Sequence, residues 1–488
     1  MREHDVVVVG AAQLKQRPED PTEAREPLAL MEDVVRGAAA DAGCPEILQS
    51  IEAIAVVRGA WSYADPGRLI AERVGAPAAH TILTTMGGNH PQTLINDLGS
   101  KIVAGELDVA IVVGAEAIHS RRRLRAAGLP FPATEQGDGA PDETHGSDAS
   151  MSSDAEHRRG VDDPTVVYPL FENALRYLRG ESIREHRDRL SRLWARFNEV
   201  AVANPYAWVR TPMTAEEIRD PSPDNRMIGF PYTKAMNSNW YLDQAAAVLL
   251  CSVRAARAAG IARDRWVFAH AGVQANDTQF VSNRRDLHSS PAIGIAGRRL
   301  LDLTGIDIDD VTHLDLYSCF PSAVQVAARE LGLAEDRQLT LTGGLTFAGG
   351  PYSNYVTHAL ATLVGVLRDD PATLGLVTAN GGFLTKHAIG LYSTEPARGP
   401  FRAENVQADV DRLVERPTVE SHQGPVAIES STVVFGREGP ERGVVACLLP
   451  DGARAWGWTT DLPTMELMMT EEVAGTTAKL ERSGAVEL

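Results

Sequence analysis

Cysteine is scarce in this sequence. The 488 residues include only four cysteines, Cys44, Cys251, Cys319 and Cys447, and no two of them form a Cys-x-x-Cys pair. Structural zinc sites and disulfide frameworks both need cysteines in recognisable clusters. The sequence therefore predicts reduced thiols and argues against both of these kinds of cross-link.

Long apolar runs are also missing. No stretch approaches the roughly 18 apolar residues that a membrane-spanning helix needs. The apolar run at residues 6–9 is too short for the hydrophobic region of a signal peptide, and no cleavage site follows it. We therefore expect a cytoplasmic protein without a membrane span.

Positive charge is the third shortage. Lys and Arg number 47 against 65 Asp and Glu, so the net charge is −18. Nucleic-acid binders usually present a basic face, so this balance argues against a nucleic-acid partner. An anionic ligand would need a local basic patch that works against the overall field. At roughly 100–200 residues per domain, the length predicts about three domains.

The first quarter of the chain alternates between buried strands and amphipathic helices. Apolar runs predict strands at residues 5–10, 51–57 and 108–114, and helical periodicity predicts helices at 28–42 and 92–104. A glycine-containing turn, Met-Gly-Gly-Asn-His-Pro, occupies residues 86–91. Such alternation is typical of an α/β fold in which helices cover the sheets.

The same order of elements returns later in the chain. A strand at 311–317 leads into a helix from about Pro321, a glycine-rich turn spans 343–351, and a helix at 353–366 precedes a strand at 375–382. Sequence identity between the two copies is low. The pattern therefore indicates an architectural repeat of strand, glycine turn, helix and strand.

Two regions break this repeat. Between the copies, residues 130–163 are rich in Gly, Asp, Ser and Pro and predict a mobile loop, while 170–203 carries seven arginines among Leu, Trp and Phe and predicts helices with a cationic face. After residue 396, short strand patterns predict a small β-barrel or sandwich. We therefore expect a first half at 1–260 with an insertion at 117–239, a second half at 261–396, and an additional β domain at 397–488.

This organisation resembles the thiolase superfamily, in its sterol-carrier-protein-like branch, and within it the thiolase-like proteins type 1 with an additional C-terminal domain. The resemblance also rests on the stretches 288–292, 315–320, 343–351 and 380–382, in that order and spacing. It implies two βαβαβαββ halves in a five-layer α-β-α-β-α sandwich. It further implies a coenzyme A thioester ligand, bound partly by the insertion, and a possible homodimer.

A thiolase of the usual kind carries a nucleophilic cysteine at the start of the central helix of its first half, where the helix dipole lowers the thiol pKa. In this chain Gly88 or Asn89 stands at that position, and neither forms an acyl-enzyme. His90 follows as a candidate base or hydrogen-bond donor. The alternative is that His90 only caps or packs at the helix start.

The family's second motif supplies an oxyanion-hole group and reads Tyr-Ser-Cys-Phe at 317–320 in this chain. Tyr317 replaces the usual Asn or His, and its hydroxyl retains the ability to donate a hydrogen bond to an oxyanion. The alternative is a packed tyrosine at the end of a strand. Cys319 is expected to be structural, because free cysteines are usually small buried apolar residues.

The remaining two motifs are altered as well. Gly349, Gly350 and Pro351 occupy the place of a Gly-His-Pro motif, so Gly350 replaces the activating histidine. Ala379 or Asn380 replaces the cysteine of the Cys-x-Gly motif, and Asn380 retains only hydrogen bonding. The pair Gly381 and Gly382 permits close approach of the backbone to a ligand.

Coenzyme A would need cationic partners for its phosphates. The resemblance places Arg121, Arg184 and Arg187 where the insertion approaches the nucleotide end of the ligand, and arginine binds phosphate through paired donors. The alternative is that these arginines are solvated surface. No zinc-type or other metal-ligand spacing is present in the sequence.

The functional prediction is an acyl-CoA-binding protein that is an acyltransferase or a carbon–carbon lyase of the retro-aldol type, working without a cysteine acyl-enzyme. Tyr317, His90 and Asn380 are the candidate catalytic residues. Asn89, Gly349, Gly350, Gly381 and Gly382, with the arginines, are the candidate coenzyme A contacts. The alternatives are a non-catalytic acyl-CoA carrier, or a scaffold whose C-terminal β domain recruits a protein partner.

Overall fold

The computed structural model describes residues 1–488. The first half begins with strands β1 (Val6–Lys15), β2 (Ala53–Val56), β3 (His80–Thr84) and β4 (Val109–Ala117), which alternate with helices α1 (Pro27–Asp41), α2 (Pro66–Val74), α3 (His90–Ala104) and α4 (Ile118–Ala126). Helices α1, α2 and α3 each have proline in the first turn, where the missing N–H costs no hydrogen bond. The predicted strands and helices of this half are confirmed within a few residues.

The insertion contains β5 (Glu143–His145), α5 (Asp154–Arg159), α6 (Pro164–Arg179), α7 (Ile183–Ala203), α8 (Ala215–Arg219), β6 (Met227–Gly229) and β7 (Tyr232–Thr233). Strand β8 (Asp243–Ser252) and helix α9 (Val253–Ala258) then complete the first half. The predicted loop at 130–163 contains β5 and α5, which composition did not predict. Strand β5 exists because it pairs in parallel with β3, a partner about sixty residues away in sequence.

The second half comprises β9 (Val267–Asn276), α10 (Pro291–Thr304), β10 (His313–Asp315), α11 (Pro321–Leu331), α12 (Gly344–Phe347), α13 (Tyr355–Asp369), β11 (Leu374–Gly381) and β12 (Lys386–Ser393). Strand β10 is shorter than the predicted 311–317. After Asp315 the chain leaves the ladder: the Leu316 N–H donates to Leu339 O (2.9 Å) and the Tyr317 N–H donates to the Thr378 hydroxyl (2.8 Å).

The two halves build equivalent sheets. The first has the order β3-β2-β4-β8-β1 and the second β10-β11-β12-β9, with β8 and β12 antiparallel to both of their neighbours. Strands β1 and β9 pair with each other and join the sheets at one edge. Helices α3 and α13 touch each other and both sheets, α1 and α2 cover the outer face of the first sheet, and α10 covers that of the second. These contacts define the expected five layers.

The C-terminal region comprises β13 (Arg402–Asn405), α14 (Gln407–Val410), β14 (Gly424–Phe435), β15 (Pro440–Leu448), β16 (Arg454–Thr459), α15 (Leu462–Thr470), β17 (Thr477–Leu480) and β18 (Val486–Glu487). Strand β13 joins the sheet of the second half through β9. Five strands follow the order β16-β15-β14-β17-β18, and the Trp458 N–H donates to Gly484 O (2.8 Å) to close the ring. The predicted small barrel is present, together with helix α15, which the sequence analysis missed.

The barrel is fixed to the rest of the molecule by buried polar contacts. Arg454 is 1% exposed, pairs with Glu429 (2.7 Å), and donates from Nη1 to the backbone carbonyls of Ser282 (2.8 Å) and Arg284 (2.7 Å). The Ser430 hydroxyl donates to Leu170 O (2.6 Å) on α6. The barrel therefore packs on both the second half and the insertion. No helix of the structure is long and apolar enough to cross a membrane.

Candidate functional site

Three turns meet where the central helix α3 begins. A Cβ atom on Gly88 would lie 2.5 Å from Asn380 O and would collide with the Tyr317 hydroxyl, and a Cβ on Gly381 would collide with Asn89 Oδ1. These contacts bring together residues that are up to about 290 positions apart in sequence. The predicted residues Tyr317, Asn380, Asn89 and Gly381 therefore share one location.

Tyr317 is held at the carboxyl end of β10. The side chain is buried, and its ring meets Tyr355 edge-to-face with centroids 5.5 Å apart. The hydroxyl makes no hydrogen bond within the protein, although it fills the space beside Gly88. Burial raises the pKa of Tyr317, with a further contribution from Cys319. The group is therefore a neutral hydroxyl whose proton is available to a ligand.

Asn380 lies at the end of β11 and is oriented by the insertion. Its Nδ2 donates to the Tyr168 hydroxyl (3.0 Å), whereas its Oδ1 is buried without a partner. The Tyr168 hydroxyl donates in turn to Gly382 O (2.9 Å), and its ring stacks on Phe320 at 4.4 Å. Tyr168 therefore belongs to the site, and the sequence analysis missed it because α6 carries no recognisable motif.

His90 is the first residue of α3 and is 2% exposed. Its Nε2 lies 3.2 Å from the Thr85 hydroxyl, its Nδ1 has no partner, and its ring meets His145 edge-on at 5.4 Å. Burial lowers the pKa of His90 to about 3, and the charges of His145 and Lys386 act in the same direction. The imidazole is thus neutral near pH 7 and retains a lone pair that can accept a proton.

The space on one side of Tyr317 and Asn380 is small. A cavity bordered by Tyr317, Thr378, Asn380 and His387 offers a water-sized sphere only about 10 Å³. That volume is close to the minimum that holds one water molecule. This cavity beside Tyr317 and Asn380 is therefore too small for an acyl group.

Gly349 and Gly350 face a different part of the first half. A Cβ on Gly349 would lie 2.5 Å from Leu242 Cδ2, and one on Gly350 would lie 2.5 Å from the Ser238 hydroxyl. Glycine at these positions lets the turn pack against the segment that precedes β8. Just after this turn the chain reaches the site, because the Ser353 hydroxyl accepts from the Gly87 N–H at 3.1 Å.

The three predicted phosphate-binding arginines are not joined to one another by any hydrogen bond. Arg121 donates to Ala60 O (2.7 Å) and Arg187 donates to Arg219 O (2.7 Å), while Arg184 is exposed and makes no hydrogen bond. Arg187 also retains a buried Nε without a partner. Of these three arginines, Arg184 and Arg187 therefore retain free donors.

Acidic residues pair with three of the seven arginines in the cationic face predicted for the insertion. Arg189 pairs with Glu181 (2.8 Å) and Glu335 (2.7 Å), and Arg176 pairs with Glu472 (2.5 Å) of the C-terminal region. These pairs connect the insertion to the second half and to the barrel. The arginines therefore serve packing as well as any ligand. No group of three or more His, Cys, Asp or Glu side chains has the geometry of a metal site.

Known proteins resemble this chain in sequence and in structure. The model of the thiolase-like protein type 1 additional C-terminal domain matches residues 405–485. A monomeric SCP2-thiolase-like protein type 1 from Mycobacterium smegmatis is 30% identical, with a TM-score of 0.86 over 100% of this chain and 99% of that one. No curated protein matches the sequence.

More distant structures share the fold alone. An Ltp2-ChsH2(DUF35) aldolase is 17% identical, with a TM-score of 0.62 over 80% of this chain and 98% of that one. The dimeric peroxisomal thiolase of Saccharomyces cerevisiae is 14% identical, with a TM-score of 0.57 over 81% of this chain and 98% of that one. The fold and the site thus define a thiolase-like protein. Within that class, the chain belongs to the SCP2-thiolase-like proteins type 1.

Proposed function

We propose that this protein binds an acyl-CoA thioester and cleaves a carbon–carbon bond next to the thioester carbonyl, by retro-aldol chemistry without an acyl-enzyme. The observation that carries the proposal is the position of the Tyr317 hydroxyl. It occupies the side-chain space of Gly88, where the resemblance predicts a nucleophile, and it has no partner within the protein. A hydrogen-bond donor therefore stands where covalent chemistry would otherwise begin.

The reaction needs only a base and a donor. A base removes the proton of a 3-hydroxyl group, the bond between C2 and C3 breaks, and C3 leaves as an aldehyde or ketone. The electron pair of that bond moves into the thioester as an enolate, which gains a proton at C2 to give the shortened acyl-CoA. In this proposal the Tyr317 hydroxyl donates to the enolate oxygen. Burial lowers the pKa of His90 in the free protein, but the negative charge that develops on the substrate favours the imidazolium, so the imidazole accepts the proton of the 3-hydroxyl group.

We assign Asn380 a role in positioning the substrate. Because Tyr168 holds its Nδ2, the unpartnered Oδ1 is left to accept a hydrogen bond, for which the substrate hydroxyl is the matching donor. Asn89 Oδ1 is a second buried acceptor without a partner. Buried polar groups without partners are uncommon in native proteins, so their clustering here supports a ligand-binding role.

Some arginines of the insertion have free donors that suit the phosphate groups of coenzyme A. Arg184 and the Nε of Arg187 have no anionic partner and are the candidate phosphate contacts, with Arg121 beyond them. The proteins of this fold include the Ltp2-ChsH2(DUF35) aldolase and, separately, an acetyl-CoA acetyltransferase from Syntrophomonas wolfei. The fold therefore accommodates the proposed chemistry. Any protein partner of the C-terminal barrel would have to use the surface that is not packed on the second half.

A non-catalytic acyl-CoA carrier is the second candidate, and it is supported by the absence of cysteine at positions 88–89 and of histidine at position 350. Such a carrier would bind coenzyme A and leave the acyl group unchanged. The two candidates differ in one measurable respect, which is the release of a carbonyl product.

The test is to incubate the purified full chain with a panel of 3-hydroxyacyl-CoA thioesters and to measure aldehyde or ketone release together with the shortened acyl-CoA. The retro-aldol proposal expects both products in equal amounts. Binding in calorimetry without either product would support the carrier and overturn the lyase. If no thioester and no free coenzyme A bound at all, the ligand assignment itself would be wrong.

A further inference from the structure

A cavity beside the connection to the C-terminal barrel is distinct from the candidate site described above. It measures about 510 Å³ and lies between residues 277–291 of the second half and the exposed segment 412–417 that leads into the barrel. Cavities that bind small molecules commonly measure about 300–1,000 Å³. The cavity is therefore large enough for a small metabolite.

Its lining is basic although the chain is acidic. Four arginines border it against three carboxylates, and these residues are Arg284, Arg285, Arg412 and Arg416, with Asp277, Asp286 and Glu415. Arg285 is exposed and makes no hydrogen bond through its side chain. Arg416 donates to the backbone carbonyls of Arg285 (2.9 Å) and Gly452 (2.5 Å) and has no carboxylate partner. Two cationic side chains at the cavity thus lack a counter-ion.

Arg284 adds a third cation, which is only 3% exposed. Its Nη2 donates to Leu384 O (2.8 Å), while Nε and Nη1 have no partner. Burial lowers the pKa of Arg284 and the neighbouring Asp277 carboxylate acts to raise it, but Oδ2 of that carboxylate accepts a hydrogen bond from the Ser290 hydroxyl at 2.6 Å. Two buried donors without hydrogen-bond partners are unfavourable, and a bound anion would satisfy them.

The amino end of helix α10 also favours an anion in this cavity. The first residue of the helix, Pro291, borders the cavity; Ser290 makes no side-chain cap, and the Asp277 carboxylate accepts a long hydrogen bond from the Ala292 N–H (3.4 Å). The amino end of a 14-residue helix carries a partial positive charge that favours anions. The helix end and the three arginines without carboxylate partners therefore act on the same volume.

We propose that this cavity binds the phosphoryl group of a small phosphorylated metabolite. Arginine suits this ligand because its planar donors match phosphate oxygens. The site also touches the candidate active site: Leu384 O accepts from Arg284 Nη2 and lies 3.0 Å from His387 Nε2, and the Leu384 N–H donates to Tyr168 (3.3 Å). An anion held by Arg284 therefore acts on the turn that follows Gly381 and Gly382.

The experiment is calorimetric titration of the full chain with inorganic phosphate, pyrophosphate and adenosine monophosphate. We expect binding by at least one of these probes. The variant Arg285→Ala should weaken it roughly tenfold, because a charge-assisted contact to phosphate is lost. Arg257→Ala, which removes an exposed arginine on α9 far from the cavity in the fold, is the matched control and should bind like the unchanged protein.

A second variant addresses the buried cation. Arg284→Met should fold and lose the increase in melting temperature that the bound probe causes, since it removes the two unpartnered donors without removing volume. If Arg284→Met fails to fold, Arg285→Glu serves the same purpose from the exposed side of the cavity. Absence of binding by all three probes at millimolar concentration would overturn the proposal, and so would an equal loss of affinity in Arg257→Ala and Arg285→Ala.

Discussion

The hydroxyl of Tyr317 fills the space that a side chain on Gly88 would need. This contact links β10 of the second half to the turn that starts α3 of the first half. It accounts for glycine at position 88, since any larger residue would displace Tyr317 and would approach Asn380 O as well. The first prediction concerns this contact.

Gly88→Ala should lower the free energy of unfolding by about 1–3 kcal/mol, because the added methyl group overpacks a site bordered by backbone. Urea unfolding monitored by fluorescence measures the change. Gly365→Ala is the matched control: it lies in α13, nothing stands within 4 Å of its added Cβ, and alanine is the better helix former. Equal stability of Gly88→Ala and the unchanged protein would contradict the packing described here.

Tyr317→Phe should separate stability from activity. The hydroxyl has no partner within the protein, so its removal should change the free energy of unfolding by less than about 0.5 kcal/mol. Removal of the donor to the enolate oxygen should lower the rate of carbonyl release about 100-fold or more. The measurement is the cleavage rate with the best thioester of the panel. An unchanged rate would exclude Tyr317 from the proposed chemistry.

Buried histidines should make the protein sensitive to acid. Burial lowers the pKa of His358 to about 3, so between pH 6 and pH 4 the unfolded chain binds a proton there and the folded chain does not. The free energy of unfolding therefore falls by up to about 1.4 kcal/mol per pH unit from this residue as the pH is lowered. The same direction holds for His90 and His387, whose pKa values burial lowers to about 3 and about 4.

His358→Leu should reduce this slope by up to about 1.4 kcal/mol per pH unit, because the proton uptake on unfolding disappears with the imidazole. Urea unfolding between pH 4 and pH 7.5 provides the comparison, and the value at pH 7.5 isolates the packing effect of the substitution from its effect on titration. Parallel pH curves for the two proteins would show that His358 does not remain neutral in the folded state.

Arg454→Met should loosen the C-terminal barrel. The substitution removes the ion pair with Glu429 and the donors to the carbonyls of Ser282 and Arg284, and breaking a buried pair typically costs about 3–5 kcal/mol. Limited proteolysis should then cut the connecting segment near residues 411–417 faster than in the unchanged protein. Lys479→Met, an exposed change in the same barrel, is the control and should leave the rate of cutting unaltered.

Much of this protein is readable from local sequence. Apolar runs fixed the strands, proline and glycine marked the ends of helices, and the repeated order of elements predicted the two halves and the separate barrel. The altered motif positions at 88–89, 317, 350 and 379–380 were also predicted from the sequence, because each stands within a short stretch that carries the resemblance. Local signals suffice for such features, since each depends on a few adjacent residues.

The tertiary structure alone decided which side chains meet. Tyr168 reaches Asn380 across 212 positions of sequence, and Arg284 lies beside the segment 412–417. The same packing pairs three of the seven arginines that the sequence marked as a cationic face, Arg176, Arg179 and Arg189, with carboxylates. These relationships depend on the docking of the insertion and the barrel onto the two sheets. Burial, pairing and cavity volume are properties of that docking, and no periodicity or motif in the sequence encodes them.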